Sequence, residues 1–425
     1  MRPRPPDCNS KLTVCAKSII LGSYPYKILS FSFKIYALCG IRLCWNVPRK
    51  EGTSMEGTKP RTASSIGMFD MLKGAGMLTI VFAHTAELYP MQAVSGLSLT
   101  AFFPFIYREA LMSAFFIASG YGFRKRSIHK CIHQQLKSLL KPYAYTALFT
   151  CVLHFIIHYK TFQYLPGTIG ESIKVTGGFL LGLPHTAEYF GQEFFSCGPM
   201  WYLLALMVGW VLLDVILNIF PERYVPWAVA GCVLLGWGAS LVWELPFCLI
   251  QGAVVVPYLY IGFLAKKKHL LDEPLPPKVF AGLLAATALI AVGALATRTT
   301  DCISLAEWSL GPLSIFLDGA AGLLFIRLFM RLSHGHGPIV HFLEAVGRRS
   351  LNIFCVHTVE IIAIPWYLMV AKFSAQPVLG MWLQYAIALG SIWLVCELLR
   401  VRRALIIRFF PAQRRTPAVH YTSRH

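Results

Sequence analysis

The feature that most constrains this chain is a series of apolar runs that starts at residue 68 and continues to residue 399. Each run is about 18–23 residues long, the length a helix needs to cross roughly 30 Å of hydrocarbon. The runs fall at 68–88, 101–122, 142–159, 199–219, 226–243, 247–265, 279–297, 308–330, 350–371 and 380–399. In hydrocarbon, backbone N–H and C=O groups must be satisfied within the chain, so such runs fold as helices. The expected architecture is all-α, a polytopic transmembrane helix bundle of about ten spans with both termini cytoplasmic. The segment 174–183 (KVTGGFLLGL) is apolar but short and Gly-rich, which fits a re-entrant or interfacial piece.

Composition agrees. Charged residues make up only 14% of the chain and hydrophobic residues 56%, and the mean hydropathy is +0.57. A soluble domain carries about 25% charged residues, so this chain lacks the polar surface to wrap a water-soluble core. The lipid bilayer is its expected surrounding. The net charge of +19 could suggest nucleic acid. The basic residues, however, sit in clusters between apolar runs: Arg124 to Lys141, Lys266 to Lys268, Arg331 to Arg349, and Arg400 to Arg408. In a ten-span topology all of these fall on the cytoplasmic side, which satisfies the positive-inside rule and argues against a nucleic-acid partner. The loop 160–198 then faces outward.

The 12 cysteines show no CxxC pair and no zinc-site spacing with histidine, so neither a structural metal nor a disulfide framework is expected. Residues 1–60 mix Pro, Cys, Lys and Arg with broken apolar patches. They read either as a poorly ordered N-terminal extension or as sequence upstream of a true start at Met55. Residues 66–400 read as the membrane domain and 401–425 as a basic cytoplasmic tail. No internal repeat is visible, so an inverted-repeat transporter has no direct support.

The first run carries ionisable residues that a lipid-facing helix would not tolerate. Lys73 and His84 are eleven residues apart, three helical turns plus about 20°, so they share one face and lie about 16.5 Å apart along the axis. Asp70 sits one turn before Lys73 and can pair with it. Gly74 and Gly76 allow a helix or a ligand to approach the backbone. Asp70 and Lys73 read as an interfacial ion pair or as part of a cavity wall. His84 reads as a histidine satisfied by a neighbouring carbonyl or as a group that moves protons near neutral pH.

Four motifs in order resemble those of the membrane-bound acyltransferase 3 family. The first is D-x-x-K-G, then an apolar run ending in His84. The others are Phe115-Phe116-Ile117-Ala118-Ser119-Gly120-Tyr121, Gly198-Pro199-Met200-Trp201-Tyr202-Leu203, and Ser350-Leu351-Asn352-Ile353-Phe354-Cys355-Val356-His357. Many members have Arg at the position of Lys73, and the D-x-x-K-G form is similar to the fucose 4-O-acetylase-like branch. Residues 1–60 have no counterpart.

The resemblance implies an O-acyltransferase. It would move an acyl group, by expectation acetyl from acetyl-CoA, to a hydroxyl of a carbohydrate or cell-surface glycan. It also implies a multi-pass protein of the plasma (inner) membrane of a bacterium, with no metal. His84 is then the catalytic candidate, either as general base or as an acyl carrier, with Lys73, Asp70 and His357 beside it. Lys73, Arg124, Lys125 and Arg126 are candidates to hold the CoA phosphates. A lysine is a point charge without the planar fork of arginine, which sets bidentate holding at position 73 in doubt. For Arg124 to Arg126 a plain positive-inside loop is the other reading. Ser119, Trp201, Glu244 and Glu360 are candidate substrate contacts, Glu360 by way of a one-turn pair with His357. His357 alternatively packs the bundle. A transporter or flippase for a sugar or lipid-linked substrate would use the same buried charges as a path.

Overall fold

The computed structural model describes residues 66–89 and 110–409, apart from 273, 298, 300 and 336. The N-terminal segment with Met55, residues 101–109 of the second run and residues 410–425 of the tail lie outside the described residues. Within them the chain is helical. α1 is Asp70–Glu87, α2 Met112–Tyr121, α3 Ile128–Gln135, α4 Lys141–Phe162, α5 Leu165–Leu181, α6 Trp201–Ile219, α7 Val225–Ser240 and α8 Leu249–Val254. α9 is Val256–Lys267, α10 Pro277–Thr297, α11 Pro312–Leu332, α12 Pro338–Gly347, α13 Ser350–Ala363, α14 Tyr367–Lys372 and α15 Pro377–Phe409. A small antiparallel hairpin, β1 Ala187–Tyr189 and β2 Gln192–Phe194, follows α5. Its two turn residues, Phe190 and Gly191, have φ of 55° and 74°, as a tight primed turn requires.

Among the described residues six helical stretches are long and apolar enough to cross a membrane: Ile128–Phe162, Gly198–Ile219, Leu249–Lys267, Pro277–Thr297, Pro312–Leu332 and Pro377–Arg402. Met112–Tyr121, Pro338–Gly347 and Ser350–Ala363 are shorter apolar helices. This is an all-α membrane bundle.

Several boundaries differ from those read in the sequence, each for a local reason. The segment 174–183 is the C-terminal half of α5, which begins at Leu165. Gln163, in the left-handed region at φ 53°, ends α4, and Pro166 sits in the first turn of α5. The run 350–371 is cut in two. α13 stops at Ile364, extended at ψ 128°, because Pro365 disfavours a helical residue before it. The run 247–265 breaks at Val255, just before Pro257, which has no N–H to give to the preceding turn. α12 was not read as an element at all.

That unread helix packs hardest against α1. A Cβ at Gly74 would lie 1.9 Å from the Leu343 carbonyl oxygen, and one at Gly347 would lie 1.8 Å from that of Asp70. Only glycine on both helices permits this crossing. A second such crossing joins α2 to α9, where Gly120 meets the backbone of Leu259 and Gly262 that of Ile117. α2 runs antiparallel to α1: Phe69 meets Tyr121 edge-on at 5.4 Å, and Gly76 faces Phe115. α13 runs alongside α1 and brings His357 against His84. These contacts fix the walls of the site.

Candidate active site

The polar face of α1 opens into a cavity of about 520 Å³. Lys73, Met77, Ile80, His84 and Glu87 line it in that order along the helix, which is the stripe expected from its 3.6-residue period. α2 contributes Phe115 and Ser119, and α6 contributes Trp201 and Tyr202. Ser350 and Leu351, the first residues of α13, line it as well, with Gly122 and Leu139. A turn between α10 and α11 supplies Cys302, Ile303, Ser304 and Leu305. The lining is mostly apolar with a few polar groups, the usual make-up of a small-molecule site.

Two histidines stand together in this wall, and their surroundings separate their roles. The rings of His84 and His357 have centroids 5.7 Å apart and are tilted by 33°. His84 Nδ1 lies 3.4 Å from a carboxylate oxygen of Glu87, one turn on. His357 Nδ1 lies 2.9 Å from a carboxylate oxygen of Glu360, likewise one turn on. The His84 side chain is 28% exposed and lines the cavity, whereas that of His357 is 1% exposed and does not. Only His84 can reach a substrate directly. His357 and Glu360 form a buried pair behind it. In each pair a carboxylate stands at Nδ1, by a hydrogen bond for His357 and at ion-pair distance for His84.

At the other end Lys73 Nζ lies 3.7 Å from Asp70 Oδ1. Lys73 faces the cavity and Asp70 does not line it. Ser119 Oγ donates to the Phe115 carbonyl at 2.8 Å and lies 3.2 Å from the Tyr202 hydroxyl. Tyr202 in turn packs between Phe116 (4.7 Å) and Phe354 (6.1 Å), so the Ser119 contact falls on a ring already held by aromatic packing. Trp201 is a wall of the same cavity.

Arg124 and Lys125 are exposed and lie just beyond Gly122, outside the lining itself. Their turn is pinned to α6: the Arg126 N–H donates to Asp214 at 3.0 Å, and Asn218 donates to the Arg126 carbonyl at 2.8 Å. Glu244 also lies outside the lining, paired with His185. Burial pulls the His185 pKa down. The bond to Glu244, that carboxylate's charge, the Ser304 carbonyl and the charge of Glu307 outweigh it and hold the group above its ordinary 6.5.

Three contributors escaped the sequence reading. Tyr202 lay inside a quoted motif without being singled out. The turn 302–305 has no motif of its own. Glu87 carried a signal: the tetrapeptide His-Thr-x-Glu occurs at 84–87 and again at 357–360, the two places where a histidine pairs with the glutamate one turn on.

A family model described as an acyltransferase domain matches residues 66–401, most of the chain. The chain belongs to the acyltransferase 3 family. No curated protein and no solved structure gives a match. Membership in the acyltransferase 3 family, together with the apolar helices, makes the protein a multi-pass membrane acyltransferase. The match spans α1 with Lys73 and His84, the aromatic wall of α2 and α6, and α13 with His357.

Proposed function

We propose that this acyltransferase moves an acetyl group from acetyl-CoA to a hydroxyl of a carbohydrate or cell-surface glycan, with His84 as general base. One observation carries the reading: a single cavity is lined at one end by Lys73 and at the other by His84 backed by Glu87. The two ends are about 16.5 Å apart along α1, which suits a long donor whose charged and reactive ends are far from each other.

In this scheme the CoA phosphates lie at the Lys73 end, near the basic turn Arg124–Arg126, and the thioester arm extends along the apolar wall toward His84. In the ten-span reading the Lys73 end lies on the cytoplasmic side with the basic clusters, which supports a donor that enters from there. The acceptor hydroxyl reaches His84 from the opposite end. His84 Nε2 takes the hydroxyl proton as the oxygen attacks the thioester carbonyl. The tetrahedral intermediate collapses, the carbon–sulfur bond breaks, and the CoA thiolate leaves and regains a proton from the imidazolium. Glu87 steadies that imidazolium. His357 and Glu360 hold the ring of His84 in place from behind. The reading places the enzyme in the plasma membrane of a bacterium, with the glycan acceptor on the outer side.

The test is transfer of labelled acetyl from acetyl-CoA by purified protein in detergent, with a panel of sugar acceptors. His84→Ala should lower kcat by roughly 10²–10⁴-fold, the range of a general base. Full activity in that variant would rule out the assignment.

A further inference from the structure

The turn 301–308 forms part of the wall of the cavity that His84 lines, and the geometry around one histidine says what holds that turn in place. The turn is shut on itself. The Cys302 N–H donates to the Glu307 carbonyl at 2.8 Å, the Glu307 N–H donates back at 3.2 Å, and Asp301 accepts the Ser309 N–H. Its inner face supplies Cys302 to Leu305 to the cavity wall. From outside, His185 Nδ1 lies 3.0 Å from the Ser304 carbonyl oxygen, and His185 Nε2 meets the Glu244 carboxylate.

A carbonyl oxygen and an ionised carboxylate both only accept hydrogen bonds, so both ring nitrogens must carry hydrogen. The form of the ring that serves both acceptors at once is therefore the imidazolium. The groups that face it are the Glu244 carboxylate from the turn after α7, the Glu307 carboxylate and the Ser304 carbonyl from the closing turn. Gln251 of α8 shares the Ser304 carbonyl at 3.4 Å. The Tyr189 hydroxyl of β1 donates to the backbone carbonyl of Glu244 at 2.6 Å and ties the hairpin to the same knot.

We infer that His185 is a positioning residue for the acceptor: clamped between Glu244 and Ser304, it holds the 301–308 turn in the cavity wall and so shapes the seat of the acceptor hydroxyl. The inference rests on the transfer reaction proposed above, but the clamp itself can be tested without it. Because the clamp needs the second proton, it is complete below the ordinary histidine value of 6.5 and is lost as pH rises through the raised value of the folded protein.

Cys302, buried in the turn, is the natural reporter. Full-length protein in detergent is treated with a maleimide, and labelling of the Cys302 peptide is followed by mass spectrometry, variants being compared at equal pH. His185→Ala should label roughly tenfold faster or more, the size of a lost charge-assisted hydrogen bond. His185→Lys, whose ammonium can serve both acceptors at all working pH, should stay slow. At alkaline pH the wild type should open while His185→Lys stays closed, a comparison that holds even if the alanine variant fails to fold. With acceptor present, His185→Ala should raise the acceptor KM by roughly tenfold or more and leave kcat and the donor KM near wild type. The acceptor KM of the wild type should rise with pH, and that of His185→Lys should not.

Equal labelling of wild type and His185→Ala at every pH would overturn the clamp. So would a fall in kcat with the acceptor KM unchanged. Fast labelling of His185→Ala in a protein that transfers nothing to any acceptor would uphold the clamp and sink the transferase reading instead.

Discussion

Replacing Gly74 by alanine probes the contact on which the cavity wall depends. A Cβ there would lie 1.9 Å from the Leu343 carbonyl oxygen, 2.7 Å from its carbonyl carbon and 3.0 Å from the Gly347 nitrogen. All three are backbone atoms, so no rotamer change relieves the clash. Ordinary contact begins at 3.4 Å, so α1 and α12 must separate by about 1.5 Å. Overpacking costs about 1–3 kcal/mol, and the upper end applies where two backbones and no flexible side chain must yield. The displacement also moves Lys73, the preceding residue in α1, and Ser350, which follows α12 by three residues; a misplacement of about 1 Å is enough to cost roughly 10²-fold in rate. The assay is the midpoint of thermal inactivation in detergent together with kcat/KM for acetyl transfer. Gly347→Ala strikes the same crossing, with a Cβ at 1.8 Å from the Asp70 carbonyl oxygen. The two substitutions should therefore be non-additive, because helices already parted by the first accommodate the second. Gly282→Ala in α10, with nothing within 4 Å, is the control and should be neutral or slightly stabilising. A Gly74→Ala protein with wild-type midpoint and activity would refute the reasoning that this crossing sets the wall.

Other outcomes follow from the same geometry. Glu87→Gln keeps the shape but removes the charge beside His84, so kcat should fall by roughly tenfold or more with the donor KM held. Lys73→Ala should raise the donor KM more than Arg124→Ala does, because Lys73 lines the cavity and Arg124 stands outside it; steady-state kinetics in acetyl-CoA reads both. Asp301 has a pKa raised by burial, against opposing hydrogen bonds from Ser309 and Ser314. The neutral form is thus the one the fold prefers, and its stabilising contribution is present at low pH and lost as pH rises through the raised value. Asp301→Asn keeps the acceptor for the Ser309 N–H and should raise the thermal midpoint at neutral pH, with the gain shrinking as pH falls.

The chain's own pattern determined the solvent, the helical class and the first wall of the site. Apolar runs of membrane length leave helices as the economical way to satisfy the backbone, and a fixed 3.6-residue period puts Lys73 and His84 on one stripe whatever surrounds them. The motifs at 115–121, 198–203 and 350–357 were legible as pieces of one family pattern. Helix ends set by proline could be placed only roughly, since apolar composition alone does not say where a run such as 350–371 will break.

Tertiary structure decided which pieces meet. α12 is short, and nothing in its ten residues announces a partner; Gly347 has meaning only because Gly74 lies across from it. His84 and His357 are 273 positions apart, and only packing places their rings in contact and gives one of them the cavity and the other the interior. Glu244 reads in the sequence as a candidate substrate contact, and only packing sets His185 and the 301–308 turn beside it. Local sequence governs periodicity over a few turns of helix. Contacts between elements far apart in the chain depend on the summed packing of all the helices, and in this protein those contacts enclose the cavity between Lys73 and His84.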